Sequence, residues 1–163
     1  MLMAVTGTLN QGAREYIFTT PLQHGLSYKL VNPKSYLLKN KLKFCHKFFE
    51  KSVDRSKCSD LYTANDLAER VITNQSNLWV SVDKHEKIKG CLIIGFGEFP
   101  QSKGICAEAI SGIFDFSILV PMLEKYYKAI GYEFFEMTGR KGWEKIMEPL
   151  GYEFKSITIR KRL

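Results

Sequence analysis

Glu108 interrupts an otherwise apolar run, Ile105-Cys-Ala-Glu-Ala-Ile110. Burial in a strand of that kind disfavours the charged form, which would raise its pKa and suit it to act as a base. The alternative is a carboxylate that faces solvent or pairs with a lysine on one side of a sheet. A second pattern is cationic. Lys39, Lys43, Lys47, Lys51 and Arg55 recur every four residues and form one inclined ridge on a helix. Like charges at this spacing cost a few tenths of a kcal/mol per pair, and Glu50 and Asp54 relieve part of that. The ridge is either a solvated face or an electrostatic surface that meets nucleic acid or an acidic protein. It shows no interleaved exposed aromatics, so stacking on single strands is not expected. A third pattern is Gly139-Arg-Lys-Gly-Trp143. Arg140 there could grip an anion at a helix start, or bond carbonyls at a strand end while Trp143 plugs the sheet edge.

These residues need elements to position them. Residues 1–33 are weakly patterned, an extension or a first strand at Tyr16-Ile-Phe-Thr-Thr20, and residues 34–163 read as a single domain. Leu38, Leu42, Cys45 and Phe49 give Ser35 to Val53 a helical period. Thr63-Ala-Asn-Asp66 is a capping box opening a short helix whose buried side is Leu67 and Val71. Three strands follow, Leu78 to Val82, Ile88 to Phe96 or Phe99, and Ile105 to Ile110, joined by short polar turns as an antiparallel meander. Phe116 to Ile130 is helical, capped by Asp115 or Ser117 and irregular near Pro121. Then come a strand from Tyr132 to Met137, a short helix within Gly139 to Leu150, and a last strand from Tyr152 to Ile159. The predicted class is α/β (α+β), a mixed sheet with helices on both faces.

Composition bounds the rest. The chain has 163 residues, 45% hydrophobic and 13% aromatic, enough for a packed core. No run approaches the length of a membrane span, and no basic segment precedes an apolar core at the N-terminus. The four cysteines, Cys45, Cys58, Cys91 and Cys106, form no CxxC pair, so no structural metal is expected. Net charge is +7, of which +6 lies between Lys34 and Lys57.

The element order and three sequence words carry a resemblance. The words are Leu61-Tyr-Thr-Ala-Asn-Asp-Leu67, Leu78-Trp-Val-Ser-Val82, and Gly139-Arg-Lys-Gly-Trp143 running on to Gly151-Tyr152. Over residues 61–163 the chain resembles GNAT-type N-acetyltransferases, in the small version that tailed phages encode near their virion genes. The resemblance implies an acetyl-CoA cofactor if the protein is active, with Ser111 and Gly112 at the donor pyrophosphate. It also implies a base drawn from Glu98, Glu108 or Glu136. The departures are specific. The usual Q/R-x-x-G-x-G/A loop is replaced by Ile110-Ser-Gly-Ile-Phe-Asp-Phe-Ser117, with one glycine, two bulky rings and an acid. The usual acid tyrosine is replaced by Met147. The expected role is therefore a non-catalytic phage protein, in the virion or host cytoplasm, with phage structural proteins or DNA as partners. An N-acyltransferase and a nucleic-acid-binding accessory are the alternatives.

Overall fold

A computed structural model describes residues 14–56, 61–139 and 142–155. Its elements run β1 (Tyr16–Thr19), β2 (Ser27–Val31), α1 (Leu38–Ser56), α2 (Ala64–Ile72), β3 (Ser76–Val82), β4 (Ile88–Phe99) and β5 (Ser102–Gly112). Then follow α3 (Phe116–Ala129), β6 (Phe134–Met137), α4 (Gly142–Met147) and a 3-10 turn, Glu148–Leu150. The strands form one sheet in chain order. Every neighbour pair is antiparallel except β5 and β6, which are parallel and joined through α3. A parallel neighbour requires such a crossover, whereas β3 to β5 need only tight turns.

The sheet is covered on both faces. Cys45, Phe49 and Val53 of α1 and Leu67 and Val71 of α2 pack on Leu78, Val80 and Ile93. Leu119, Leu123 and Tyr127 of α3 pack on Leu30, Trp79, Leu92 and Ile94. Strict alternation along β3 divides the two cores: Leu78 and Val80 face α1, while Trp79 faces α3. Trp79 is fully buried, and its indole N–H donates to the Tyr127 hydroxyl at 2.9 Å. The Asn77 amide donates to the same oxygen at 2.9 Å, tying α3 to β3.

The expected helices and the meander are present, with β3 to β5 somewhat longer than expected. The Thr63 capping box forms: its hydroxyl accepts the Asp66 N–H, and Asp66 accepts the Thr63 N–H at 2.6 Å. Pro121 falls within α3 without ending it. Two features differ. β2 was not expected, because Ser27 and Lys29 break the apolar pattern; all five of its residues are nonetheless buried, and Lys29 pairs with Glu86. The described beginning of the expected last strand, residues 152–155, is irregular. The rest of that strand lies outside the described residues.

Candidate functional site

The residues expected at a donor pyrophosphate, Ser111 and Gly112, lie at the end of β5. β6 pairs with β5 only from Gly104↔Phe134 to Ala107↔Met137, while β5 continues to Gly112. Past Ala107 no described strand pairs with that edge of β5, which leads through three residues into α3. Free amides and the positive end of a helix suit such a place to anions.

Here α3 satisfies its own start. Asp115 is the N-cap, and its carboxylate accepts the Ser117 N–H at 3.0 Å and the Ser117 hydroxyl at 2.5 Å. Its other oxygen meets His24 Nδ1 at 2.8 Å. The Tyr28 hydroxyl accepts the Asp115 N–H at 2.9 Å. The carbonyl of Asp115 then accepts the Ile118 and Leu119 N–H groups. The Ser117 hydroxyl first, and His24 next, hold the Asp115 carboxyl below the usual range. A carboxylate depressed in the folded state stabilises above its unfolded pKa and loses that contribution as pH falls through the folded value. The melting-temperature gap between wild type and Asp115→Ala is therefore expected to be full at neutral pH and to close in acid. Thermal melts across pH test this; a gap unchanged at low pH would contradict it.

Aromatic rings fill the space beside this cap. Phe114 stacks on Tyr28 with centroids 6.3 Å apart, and Phe116 sits 6.2 Å from Phe114. Trp143 of α4 meets Phe116 edge-on at 5.2 Å. Gly90 of β4 leaves room for Phe114, since a Cβ there would stand 2.7 Å from the ring. Trp143 likewise lies over Gly139, whose Cβ would stand 2.5 Å from the indole. Arg140 lies outside the described residues, so only the Trp143 half of that signature has a place. It is a packing place.

Ser111 and Gly112 belong to the β4–β5 ladder. Gly112 has φ +104°, pairs with Gly90, and a Cβ on it would overlap the Lys89 carbonyl oxygen. Its lack of a side chain is thus required by the neighbouring strand. Ser111 is buried, and its hydroxyl has no partner among the described residues.

Glu108 and Glu98 do not share a site. A bulge in β5 sets Ile93 opposite Ala109 and Ile94 opposite Ala107, leaving Glu108 as the extra residue. Its carboxylate accepts from Arg70 at 2.6 and 3.2 Å and from the Ser76 hydroxyl at 2.6 Å. The Ile110 amide just after the bulge donates to Ser52 of α1. Glu108 therefore joins α2 to β3 and β5. Glu98 is exposed on the opposite face and meets Lys103 across the hairpin at 3.4 Å. Among the described residues neither carboxylate has a contact that joins it to the α3 cap. Glu136, exposed on β6, is one of two acids that with burial push the Cys106 thiol up to about 11.

Acid candidates are engaged too. Met147 is buried on α4. The Tyr152 hydroxyl donates to Glu124 at 2.8 Å, and burial with that carboxylate pushes its pKa up, away from proton donation at neutral pH. Two residues here escaped sequence reasoning, Tyr28 and His24. Both come from the unpatterned N-terminal region, and no local signal connects them to Asp115.

The five cations of the ridge are all exposed on α1. Phe44, beside them, is 68% exposed, and Tyr36 just before the helix is 75% exposed. This corrects the expectation that the ridge has no exposed aromatics. Periodicity assigned Phe44 no face, because it lies at the border between the buried and charged sides. Among the described residues no group of three or more His, Cys, Asp or Glu side chains could hold a metal ion. No described helix is long and apolar enough to cross a membrane.

No protein-family model matches the sequence, and no curated protein matches it. Solved structures do. An aminoglycoside acetyltransferase from an uncultured soil metagenomic sample, solved with sisomicin, superposes with TM-score 0.61 at 14% identity, over 88% of this chain and 99% of that one. An acetyltransferase of Trypanosoma brucei gives 0.60 at 11% identity, over 85% and 99%. A GNAT family acetyltransferase of Staphylococcus aureus gives 0.55 at 17% identity, over 85% and 99%. The chain has a GNAT-like fold.

Proposed function

For a chain with the fold of the GNAT acetyltransferases, we propose a role without transferase chemistry, as a structural or assembly component of the kind that tailed phages encode. One observation carries this reading: the Asp115 carboxylate caps the helix end where the fold would receive the pyrophosphate of acetyl-CoA. A pyrophosphate at that end would meet a fixed negative charge, and the Ser117 amide is already bonded to it. Phe114 and Phe116 add bulk where a ligand's phosphates need close backbone approach. The residues present do not fit the cofactor in its usual seat. The phage origin is supported by the three sequence words over residues 61–163, and the place in a virion or host cytoplasm by that same resemblance.

A second reading has its own observation. β5 runs on past the end of its pairing with β6 at Ala107 and Met137, and the solved structures above that share the fold bear the name acetyltransferase. An N-acyltransferase acting on an amine would then use a displaced donor site. Calorimetry and thermal melts with acetyl-CoA separate the two. The non-catalytic reading expects no heat and no shift in Tm at millimolar ligand. A micromolar site at a hundredfold excess would add about 2.7 kcal/mol of stability, and that result would overturn it.

A further inference from the structure

We propose that the exposed face of α1 binds single-stranded nucleic acid, with Phe44 as a stacking platform beside the row of cations. Four observations carry this. The first is charge: Lys39, Lys43, Lys47, Lys51 and Arg55 follow one inclined row across the exposed side of α1. The second is that no carboxylate holds these cations. Among the described residues none of the five makes an ion pair, although Lys29, Lys41, Lys89 and Lys103 each have a carboxylate partner. Glu50 and Asp54 occupy the next row of the helix without closing on them. The third is length. At about 1.5 Å per residue the row runs roughly 24 Å, with a cation about every 6 Å, so it follows an extended polyanion rather than one phosphate.

The fourth observation decides between strands and duplexes. Phe44 is 68% exposed next to Lys43 and one turn before Lys47. A phenyl ring offers nothing to a phosphate, but its face can cover an unpaired base. In a duplex that base face is already covered by its neighbours, so a ring on a convex helix reaches only sugar and phosphate. Tyr36, 75% exposed in the turn ahead of α1, is a second exposed ring three residues before Lys39. Lys47 leans at 5.2 Å over the ring of Phe48, which is itself buried. The surface lies on α1 and the turn before it, and does not depend on whether acetyl-CoA binds at α3.

Fluorescence anisotropy with labelled oligothymidine, and with a hairpin duplex of equal charge, tests the assignment on the full chain. Five phosphate contacts predict that log K falls with log salt with a slope of about −3.5. Lys47→Glu with Lys51→Glu is expected to weaken binding more than tenfold at low salt and to bring the slope to about −2. Phe44→Ala is expected to weaken oligothymidine by about tenfold, leave its salt slope unchanged, and leave the duplex unaffected. All three positions are exposed, so the fold survives these changes, and a thermal melt verifies it. No anisotropy change at low salt would sink the proposal. Equal affinity for strand and duplex, with Phe44→Ala silent, would also overturn it.

Discussion

Trp79→Ala is expected to lower stability by about 3–5 kcal/mol, the largest loss from any single truncation in this core. The indole is fully buried at the centre of β3, against Phe18, Tyr126 and Tyr127 at 5.3 to 6.4 Å between centroids. Truncation removes apolar burial and leaves a cavity at the meeting of β3 and α3. It also takes away one of the two donors that saturate the Tyr127 hydroxyl. For a chain of this length the loss corresponds to a fall in Tm of roughly 10 °C or more. Tyr127→Phe probes the polar part separately, because it keeps the ring and strands the N–H groups of Trp79 and Asn77. A Tm for Trp79→Ala within a few degrees of wild type would mean that α3 is not held as described.

Gly112→Ala is the second. Alanine at a positive φ costs about 1–2 kcal/mol, and the overlap with the Lys89 carbonyl must be relieved by moving backbone at the end of the β4–β5 ladder. The total is expected at about 2–4 kcal/mol. Gly131 supplies the control. It has φ +98°, but a Cβ there meets nothing within 4 Å, so Gly131→Ala should show the conformational cost alone, about 1 kcal/mol. Urea denaturation of the two variants gives the difference. Equal losses would mean that the strand contact contributes nothing, and would return Gly112 to the ligand-binding role that its place in the sequence suggests.

The legible parts of this fold were those encoded in short stretches. The helical period of α1, the Thr63–Asp66 box and the polar turns between β3, β4 and β5 each depend on residues close in sequence. β2 was hidden because its buried lysine is neutralised by Glu86, which is 57 residues away. The candidate site was legible in its deficits, the single glycine, the acid at 115 and Met147. Its construction was not, because Tyr28 and His24 meet Asp115 across 87 and 91 residues. Glu108 shows the same limit: an apolar neighbourhood in the sequence says nothing of an arginine arriving from α2. Phe44 failed differently, since a residue at the edge of a helical stripe is assigned by packing and not by period.

The additional residue at Glu108 gives β5 slack in its length as well as a constraint on its composition. Before it, Ile105 and Ala107 face α3; after it, Ile110 does, and Ala109 turns to α1. Removing Glu108 alone would set Ala107 and Ala109 as consecutive partners of Ile94 and Ile93, so both faces and the pairing of Gly112 with Gly90 would be kept. The loss would be the bonds to Arg70 and Ser76. A residue added without a second bulge would instead exchange the faces and withdraw Gly112 from Gly90. Proteins sharing this architecture should therefore be able to lose the residue at 108 but not to gain one beside it.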